Sequence, residues 1–490
     1  MTEIKPQRTP TGEQQAILAA ARTAKRLAVS AAAGTGKTTL MEMLANDQPN
    51  KRILYVVYNK SAQIEGEARM PSNVTCRTTH ALAWPKYGKQ MMDRINGPYR
   101  SARDDAIALG LKRTIVFPGD VRFAPPAQAS MARDMVIRFC YSKAPQLTEA
   151  HFQCPEGFDE RLGASLASAI LPIAHRTWAD MISLRGHIKQ VHDVYLKQWA
   201  IDNPHLRFDI VAVDEAQDTN ECPADVIDRQ RARIIAVGDS AQSIYGWRGA
   251  TDYLDRMNAD VRLALTQSWR FGQAVADEAN VWLGVVGTDM RVIGSPHLNS
   301  TLGPIAAPDA ILCRTNAGTI KQLIEAHTQD TKVHLVGDGT EMKMLAEAAI
   351  QLQAGERAYH PQLVAFKTWE QVVEFAENDS GGSDLAVSVR MIEEHGAETV
   401  VDAIKKAIPA KRKHEAQLVV TTAHKAKGLE WPKVRIADDF KEPLEKETGK
   451  PLPIPKEDAM LAYVAVTRAM KTLDNSGLAW VHDHLAELGQ

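Results

Sequence analysis

Short, almost uninterrupted apolar runs, separated by longer amphipathic stretches, set the pattern of this chain. They lie at residues 27–30 (LAVS), 53–58 (ILYVVY), 210–213 (IVAV), 234–237 (IIAV), 311–313 (ILC), 333–336 (VHLV) and 418–421 (LVVT), most of them closed by turn or polar residues. A strand with one solvated face alternates apolar and polar positions, whereas a run without that alternation suits a parallel strand covered on both faces. Helical patterns follow these runs. Strand–helix alternation predicts an α/β fold with right-handed crossovers and with the reactive polar groups at the carboxyl ends of the strands.

Two stretches break the rhythm. Residues 85–186 read as mostly helical, over 106–111, 127–141 and 161–175, and residues 346–414 read as helical around a Gly/Ser turn at 380–383. Both are expected to be insertions. This places a first α/β domain at 1–84 and 187–262, interrupted by 85–186, and a second at 263–345 and 415–490, interrupted by the small insertion 346–414.

Composition narrows the class without choosing it. The 490 residues are 44% hydrophobic and 24% charged, ordinary for a globular protein of several domains. No stretch approaches the roughly 18 apolar residues of a membrane span. The opening MTEIKPQRTP lacks a signal-peptide layout, so an intracellular, cytoplasmic setting without a membrane partner is expected. Cys76, Cys140, Cys154, Cys222 and Cys313 include no CxxC pair, which argues against a zinc ribbon or iron–sulfur cluster and for reduced, buried thiols. A net charge of −2 does not advertise nucleic-acid binding. Such binding then requires a locally basic lining.

The chemistry sits in a few segments. After the run at 27–30 come Ala31, Ala32, Ala33, Gly34, Thr35, Gly36, Lys37, Thr38 and Thr39. Small residues let backbone N–H groups turn inward around a phosphate, and Gly34 and Gly36 allow positive φ. Lys37 is placed for the β/γ-phosphates and Thr38 for Mg²⁺. Ala31 stands where the strict P-loop pattern has its first glycine. The run at 210–213 ends in Asp214 and Glu215, followed by Gln217 and Asp218. Here a carboxylate to hold Mg²⁺ and a second to polarise water are expected, against the alternative of an acidic loop capping a helix.

The run at 234–237 leads to Gly238, Asp239, Gln242, Tyr245 and Trp247. Polar groups able to sense a γ-phosphate stand beside aromatic rings able to stack on a base, the competing reading being that both rings belong to the core. Arg270 follows Trp269, and Arg468 lies in YVAVTRA. Guanidinium groups suit the charge of phosphoryl transfer and do not lose their proton.

In order, these segments resemble the UvrD/Rep/PcrA-type DNA helicases of superfamily 1. The matching pieces are Glu13-Gln14-Gln15, AAAGTGKTT, Tyr58-Asn59-Lys60, Thr78-Thr79-His80, VDEAQDT, VGDSAQSIYGWRGA, QSWRF, Arg314-Thr315-Asn316, TTAHKAKGLEW and YVAVTRA. Within that group the segments TTAHKAKGLEWPKVRIADDF and FKTWEQVVEFAE look most like the F-box DNA helicases and their bacterial and phage relatives. No F-box ahead of the core and no nuclease domain after it are expected.

The resemblance implies two RecA-like P-loop NTPase domains that use ATP and Mg²⁺. It implies that Gln14 reads the adenine edge, that Ala33, Gly34, Thr35, Gly36, Lys37, Thr38 and Thr39 form the phosphate cradle, that Trp269 stacks on adenine and that Glu430 meets the ribose. Lys37, Asp214, Glu215, Gln242, Arg270 and Arg468 are the implied catalytic set, with Thr38 and Asp214 at the metal. Asn59, Thr78, His80, Tyr245, Trp247, Arg314, Thr422 and His424 would line single-stranded DNA.

The implied activity is 3′→5′ travel on single-stranded DNA with separation of 3′-tailed duplexes, together with repair, replication or defence partner proteins. Two departures stand out. Thr39 occupies the place of an arginine that sandwiches adenine in many relatives, and the second insertion is small. The second favours a translocase that strips proteins from DNA while unwinding weakly. The same segments also admit an ATP-gated DNA-binding subunit or an RNA helicase.

Overall fold

A computed structural model describes residues 9–489 except 99, 119–120, 156–158, 247–248, 250, 338, 359, 361, 364–365, 379–382 and 446. The chain divides into two compact units, residues 1–31 with 36–265, and residues 32–35 with 266–490.

The first unit is built on a six-stranded sheet. Its strands are β1 (Arg26–Ala31), β2 (Ile53–Val56), β3 (Val74–Arg77), β6 (Ile210–Val213), β7 (Arg233–Gly238) and β8 (Val261–Leu265), β4 and β5 being a hairpin described below. The order is β3-β2-β6-β7-β1-β8 and every pairing is parallel. The apolar runs have the expected cause. Leu27, Val29, Ile53, Tyr55, Ile210 and Ala212 pack into a core on one side of the sheet. Ala28, Leu54, Val56, Val211 and Val213 pack into another on the opposite side. With both faces covered, the middles of these central strands are held apolar.

Residues 85–186, read as helical, do hold the helices Ala102–Ala108, Pro125–Tyr141 and Glu160–Ile182. They also hold an antiparallel hairpin of β4 (Ile115–Phe117) and β5 (Val121–Phe123), which the helical pattern does not predict. Its two strands are three residues long and their central side chains are exposed, so no period-2 core pattern is written there.

The second unit repeats the plan. Strands β9 (Thr301–Leu302), β10 (Ala310–Cys313), β11 (Val333–Leu335), β12 (Leu418–Thr422), β13 (Trp431–Ile436) and β14 (Ala469–Asp474) are ordered β11-β12-β10-β13-β14-β9, again all parallel. Between β11 and β12 the helices Thr340–Gln353, Trp369–Asn378, Ser383–His395 and Ala397–Lys406 pack onto the same core as β10 and β12. The turn expected at 380–383 falls largely outside the described residues.

Candidate nucleotide site and strand-facing surface

The carboxyl ends of β1, β2, β6 and β7 converge in the first unit. Gly34 and Gly36 have φ of +74° and +83°, the left-handed region that glycine enters without penalty, and the helix Lys37–Asp47 starts directly after them. Lys37 Nζ lies 3.0 Å from the Glu215 carboxylate. Burial alone would lower the lysine's pKa, but Glu215, Asp214 and Asp239 outweigh it and hold Lys37 above its ordinary value. For Asp214 the direction is upward, from burial first and the neighbouring Glu215 second, with Lys37 opposing.

Glu215 has φ 46° and ψ 46°. A non-glycine residue in this region costs about 1–2 kcal/mol, so the surrounding contacts must impose it. Gln217 supplies two of them. Its Nε2 donates to Glu215 Oε2 at 2.7 Å and its Oε1 accepts from Asp239 N at 3.0 Å, with the side chain fully buried. Gly238 makes room: a Cβ there would sit 2.2 Å from Gln217 Oε1. The Gln242 amide in turn donates to Asp239 Oδ2 at 2.7 Å.

Tyr55 joins the site without having been expected there. Its hydroxyl donates to Asp214 Oδ2 at 2.6 Å and also bonds Thr38. An isolated polar tip inside an apolar run is the only signal the sequence gives of it.

Gln14 closes a capping box. Its Oε1 accepts from Thr11 N at 3.0 Å while Thr11 Oγ1 accepts from Gln14 N, which fixes the amide's orientation and leaves Nε2 to donate elsewhere. Thr39 Oγ1 accepts from Arg69 Nη2 at 3.3 Å, so a guanidinium from another helix stands against the position that lacks its own. Hard oxygen donors at Thr38 and Asp214 fit Mg²⁺, which takes few protein ligands and completes its shell with phosphate and water.

On the same unit, the Tyr58 and Tyr245 rings lie 5.9 Å apart and within 6° of parallel. With His80, Thr79, Asp193 and Asn220 they line a cavity of about 390 Å³. His80 Nε2 lies 3.3 Å from Asp193 Oδ1. Trp247 lies outside the described residues. Asn59 and Thr78 do not line this cavity. Each caps a helix, accepting from Ala62 N at 2.9 Å and Ala81 N at 3.1 Å, and their neighbours Tyr58 and Thr79 are the residues that face it.

In the second unit, Trp269 is exposed and stacked near His297, with ring centroids 6.5 Å apart. Arg270 Nε donates to Glu430 Oε2 at 2.6 Å and Nη1 to Thr467 O at 3.1 Å, so the carboxylate implied at the ribose here holds an arginine. Arg468 is buried, donating to Val464 O, Leu429 O and Thr467 Oγ1. Arg314 sits at the end of β10, where Asp439 accepts from Arg314 N and Thr315 N at 2.8 Å each. Its guanidinium donates to Asp458 Oδ1 at 3.0 and 2.9 Å. Thr422 caps a short helix through Lys425 N. His424 is pushed down to about 4 by burial and then by Arg314, with Asp458 pulling the other way.

Residues 146–259, which carry Asp214, Glu215 and Gln242, match the UvrD/REP helicase N-terminal domain. Residues 367–476, which carry Thr422, His424, Glu430 and Arg468, match the UvrD-like helicase C-terminal domain. The chain is thus similar to both halves of the UvrD-like helicases. Its two parallel-sheet α/β units are consistent with two RecA-like helicase domains. Among curated relatives, this UvrD-like chain is 29% identical over 484 residues to F-box DNA helicase protein 1 of Schizosaccharomyces pombe, covering 91% of the chain and 55% of the relative. It is 27% identical over 485 residues to F-box DNA helicase 1 of Gallus gallus, covering 91% and 46%. A shorter match, 41% identical over 83 residues, links 15% of the chain to 11% of ATP-dependent DNA helicase PcrA of Leuconostoc citreum. The chain thus spans about half the length of the F-box relatives. No described helix is long and apolar enough to cross a membrane.

Proposed function

We propose that the chain hydrolyses ATP, with Mg²⁺, to move 3′→5′ along single-stranded DNA and separate the strands of 3′-tailed duplexes. The observation that carries the reading is the Lys37–Glu215 contact of 3.0 Å, with Asp214 behind it and Gln217 tethering Glu215. Triphosphate oxygens offer Lys37 a stronger negative partner than one carboxylate. Lys37 then turns to phosphate and releases Glu215, which Gln217 keeps in place to accept a proton from the attacking water. Bound Mg²⁺ would supply charge neutralisation at the phosphates, held by Thr38 and Asp214.

Gln242, Arg270 and Arg468 belong to the same reading as γ-phosphate contacts. Gln14 and Trp269 are proposed at the adenine, and Glu430 at the ribose. The parallel Tyr58 and Tyr245 rings offer faces on which a base can stack, and stacking contributes about 1–3 kcal/mol per base with little sequence preference. His80, Arg314, Thr422 and His424 complete the proposed strand contacts. The relatives are all named as DNA helicases, which supports DNA over RNA.

ATPase rates with and without single-stranded DNA, followed by unwinding of 3′-tailed and 5′-tailed duplexes, test this. Lys37→Ala abolishes turnover. Glu215→Gln retains ATP binding and loses about 10²–10⁴-fold in rate, the usual contribution of a general base. A 5′-tail preference refutes the direction, and full activity of Lys37→Ala refutes the site. The compact helices between β11 and β12 favour a second reading, a translocase that displaces bound protein with weak unwinding. Displacement of a DNA-bound protein beside naked-duplex unwinding separates the two.

A further inference from the structure

Because all six strands of the first sheet are parallel, their amino ends share one edge, opposite the nucleotide site. Neighbouring strands enter that edge through cations: Lys51 and Arg52 before β2, Arg207 before β6, Arg231 and Arg233 at β7, and Lys25 before β1. Five of these line a cavity of about 480 Å³ whose one carboxylate is Asp209, a local excess of four positive charges on a chain whose net charge is −2. Asp209 is engaged with Arg52, accepting from its backbone N at 2.8 Å and lying 3.6 Å from its Nε. Arg233 donates to Ala21 O and Gln48 Oε1. Lys51, Arg207 and Arg231 are exposed and make no side-chain hydrogen bond or ion pair among the described residues.

We infer that this edge is a docking surface for the phosphate backbone of duplex DNA, separate from the single-strand surface. The inference rests on the proposed DNA-directed activity. Strands spaced about 4.8 Å apart put the cations of β2, β6 and β7 along roughly 10 Å, while a duplex offers one phosphate charge per about 1.7 Å of its axis. The guanidinium groups of Arg207 and Arg231, with the Lys51 ammonium, suit phosphate oxygens. Protein partners anchor through arginine together with aromatic side chains seated in desolvated pockets, but Leu206, Phe208 and Ala232 in this cavity pack into the core beneath it. That same packing takes Phe208 out of any aromatic platform for single strands, leaving His205 as the one outward ring among the cavity's described residues. What remains outward is mainly charge, which is how proteins hold duplex DNA without reading its sequence.

The test uses the full chain carrying Lys51→Gln, Arg207→Gln and Arg231→Gln together. All three side chains are exposed, and thermal unfolding checks that the fold is kept. Binding of a labelled blunt duplex of about 30 base pairs is followed between about 50 and 200 mM salt. The expected result is a Kd raised about tenfold or more at the lower salt and a log–log salt slope shallower by about 2–3, at roughly 0.9 for each phosphate no longer neutralised. Single-strand-stimulated ATPase stays as in the unaltered chain. Unchanged duplex affinity and slope overturn the inference. So does a variant that loses polyglutamate binding while keeping duplex affinity, which marks the edge as a site for acidic protein. An unaltered chain without DNA-stimulated ATPase whose duplex binding still depends on these residues refutes the proposed activity and leaves the docking surface standing.

Discussion

Gln217→Leu is the sharpest probe of the site, because one buried amide joins the strand ends of β6 and β7. The substitution nearly conserves volume, so the cavity contribution is small. It removes the acceptor of the Asp239 N–H, at 3.0 Å, and the donor to Glu215 Oε2, at 2.7 Å. The first loss costs about 1–3 kcal/mol and the second, charge-assisted, about 1.5–3 kcal/mol. Neighbouring losses overlap, so about 3 kcal/mol is expected. In a unit of this size each kcal/mol moves the thermal midpoint by about 2–4 °C, giving a fall of roughly 6–12 °C in the transition of the first unit. Turnover falls as well, by about 10- to 100-fold, because a misplaced Glu215 loses its alignment, while KM for ATP changes little.

Gln217→Glu separates shape from charge. It keeps an acceptor for Asp239 N but faces a carboxylate with Glu215 and Asp218. Burial and these two neighbours raise the new group's folded pKa above its unfolded value of about 4.3. A raised folded pKa means that the folded state binds the extra proton. The variant is therefore closest to the unaltered stability below about pH 4.3 and loses it as pH rises through the folded pKa. Circular dichroism melts at several pH values, beside steady-state ATPase, measure both effects. A leucine variant with unchanged midpoint and turnover, or a glutamate variant whose relative stability rises with pH, refutes the tether.

Asp458→Asn frees a guanidinium proposed to meet DNA; an exposed pair of this kind is worth at most about 1 kcal/mol, so single-strand affinity by fluorescence anisotropy rises about two- to fivefold, and Arg314→Ala lowers it. His424, held near 4 by burial and Arg314, stays neutral in NMR titrations down to about pH 5 and titrates higher in Arg314→Ala; because its folded pKa lies below the unfolded value, its stability contribution is lost as pH falls from about 6.5 towards 4. Gly238→Ala drives a Cβ to 2.2 Å from Gln217 Oε1, 2.8 Å from Leu254 Cδ1 and 2.9 Å from Ala216 N and destabilises by about 1–3 kcal/mol in thermal melts, and a Gln217→Ala background recovers only the part owed to the first contact.

The α/β plan was legible because strands covered on both faces carry few polar positions: each of the seven apolar runs falls wholly or mostly on a strand of the two parallel sheets. Strands with an exposed face escaped. At the sheet edges, β3 and β8 bury only part of their length. β13, inside its sheet, still exposes Pro432 and Lys433. Their mixed patterns match neither period well. Residue chemistry singled out Lys37, Asp214 and Glu215 because the proposed phosphate and metal roles restrict the residue types that could serve there, and these three side chains do lie together. Tyr55 was hidden because a tyrosine in an apolar run is first a packing residue, and only coordinates reveal where its hydroxyl points.

The residues at strand ends show why sequence resolves a site less finely than it resolves a fold. Asn59, Thr78 and Thr422 each stand where the chain passes from a strand into a helix, and each side chain satisfies an amide of that new helix. Ser, Thr and Asn are selected at such positions by capping alone, for about 1 kcal/mol apiece, so their presence there carries little information about DNA. The neighbouring Tyr58 is different. Forty-three per cent of it is exposed, no cap requires a ring, and burial does not repay one. A pair of parallel rings left partly in water offers a face on which a base can stack, whereas a capping hydroxyl is accounted for by its amide. The proposed strand-facing surface is therefore better marked by its paired aromatic rings than by its polar residues.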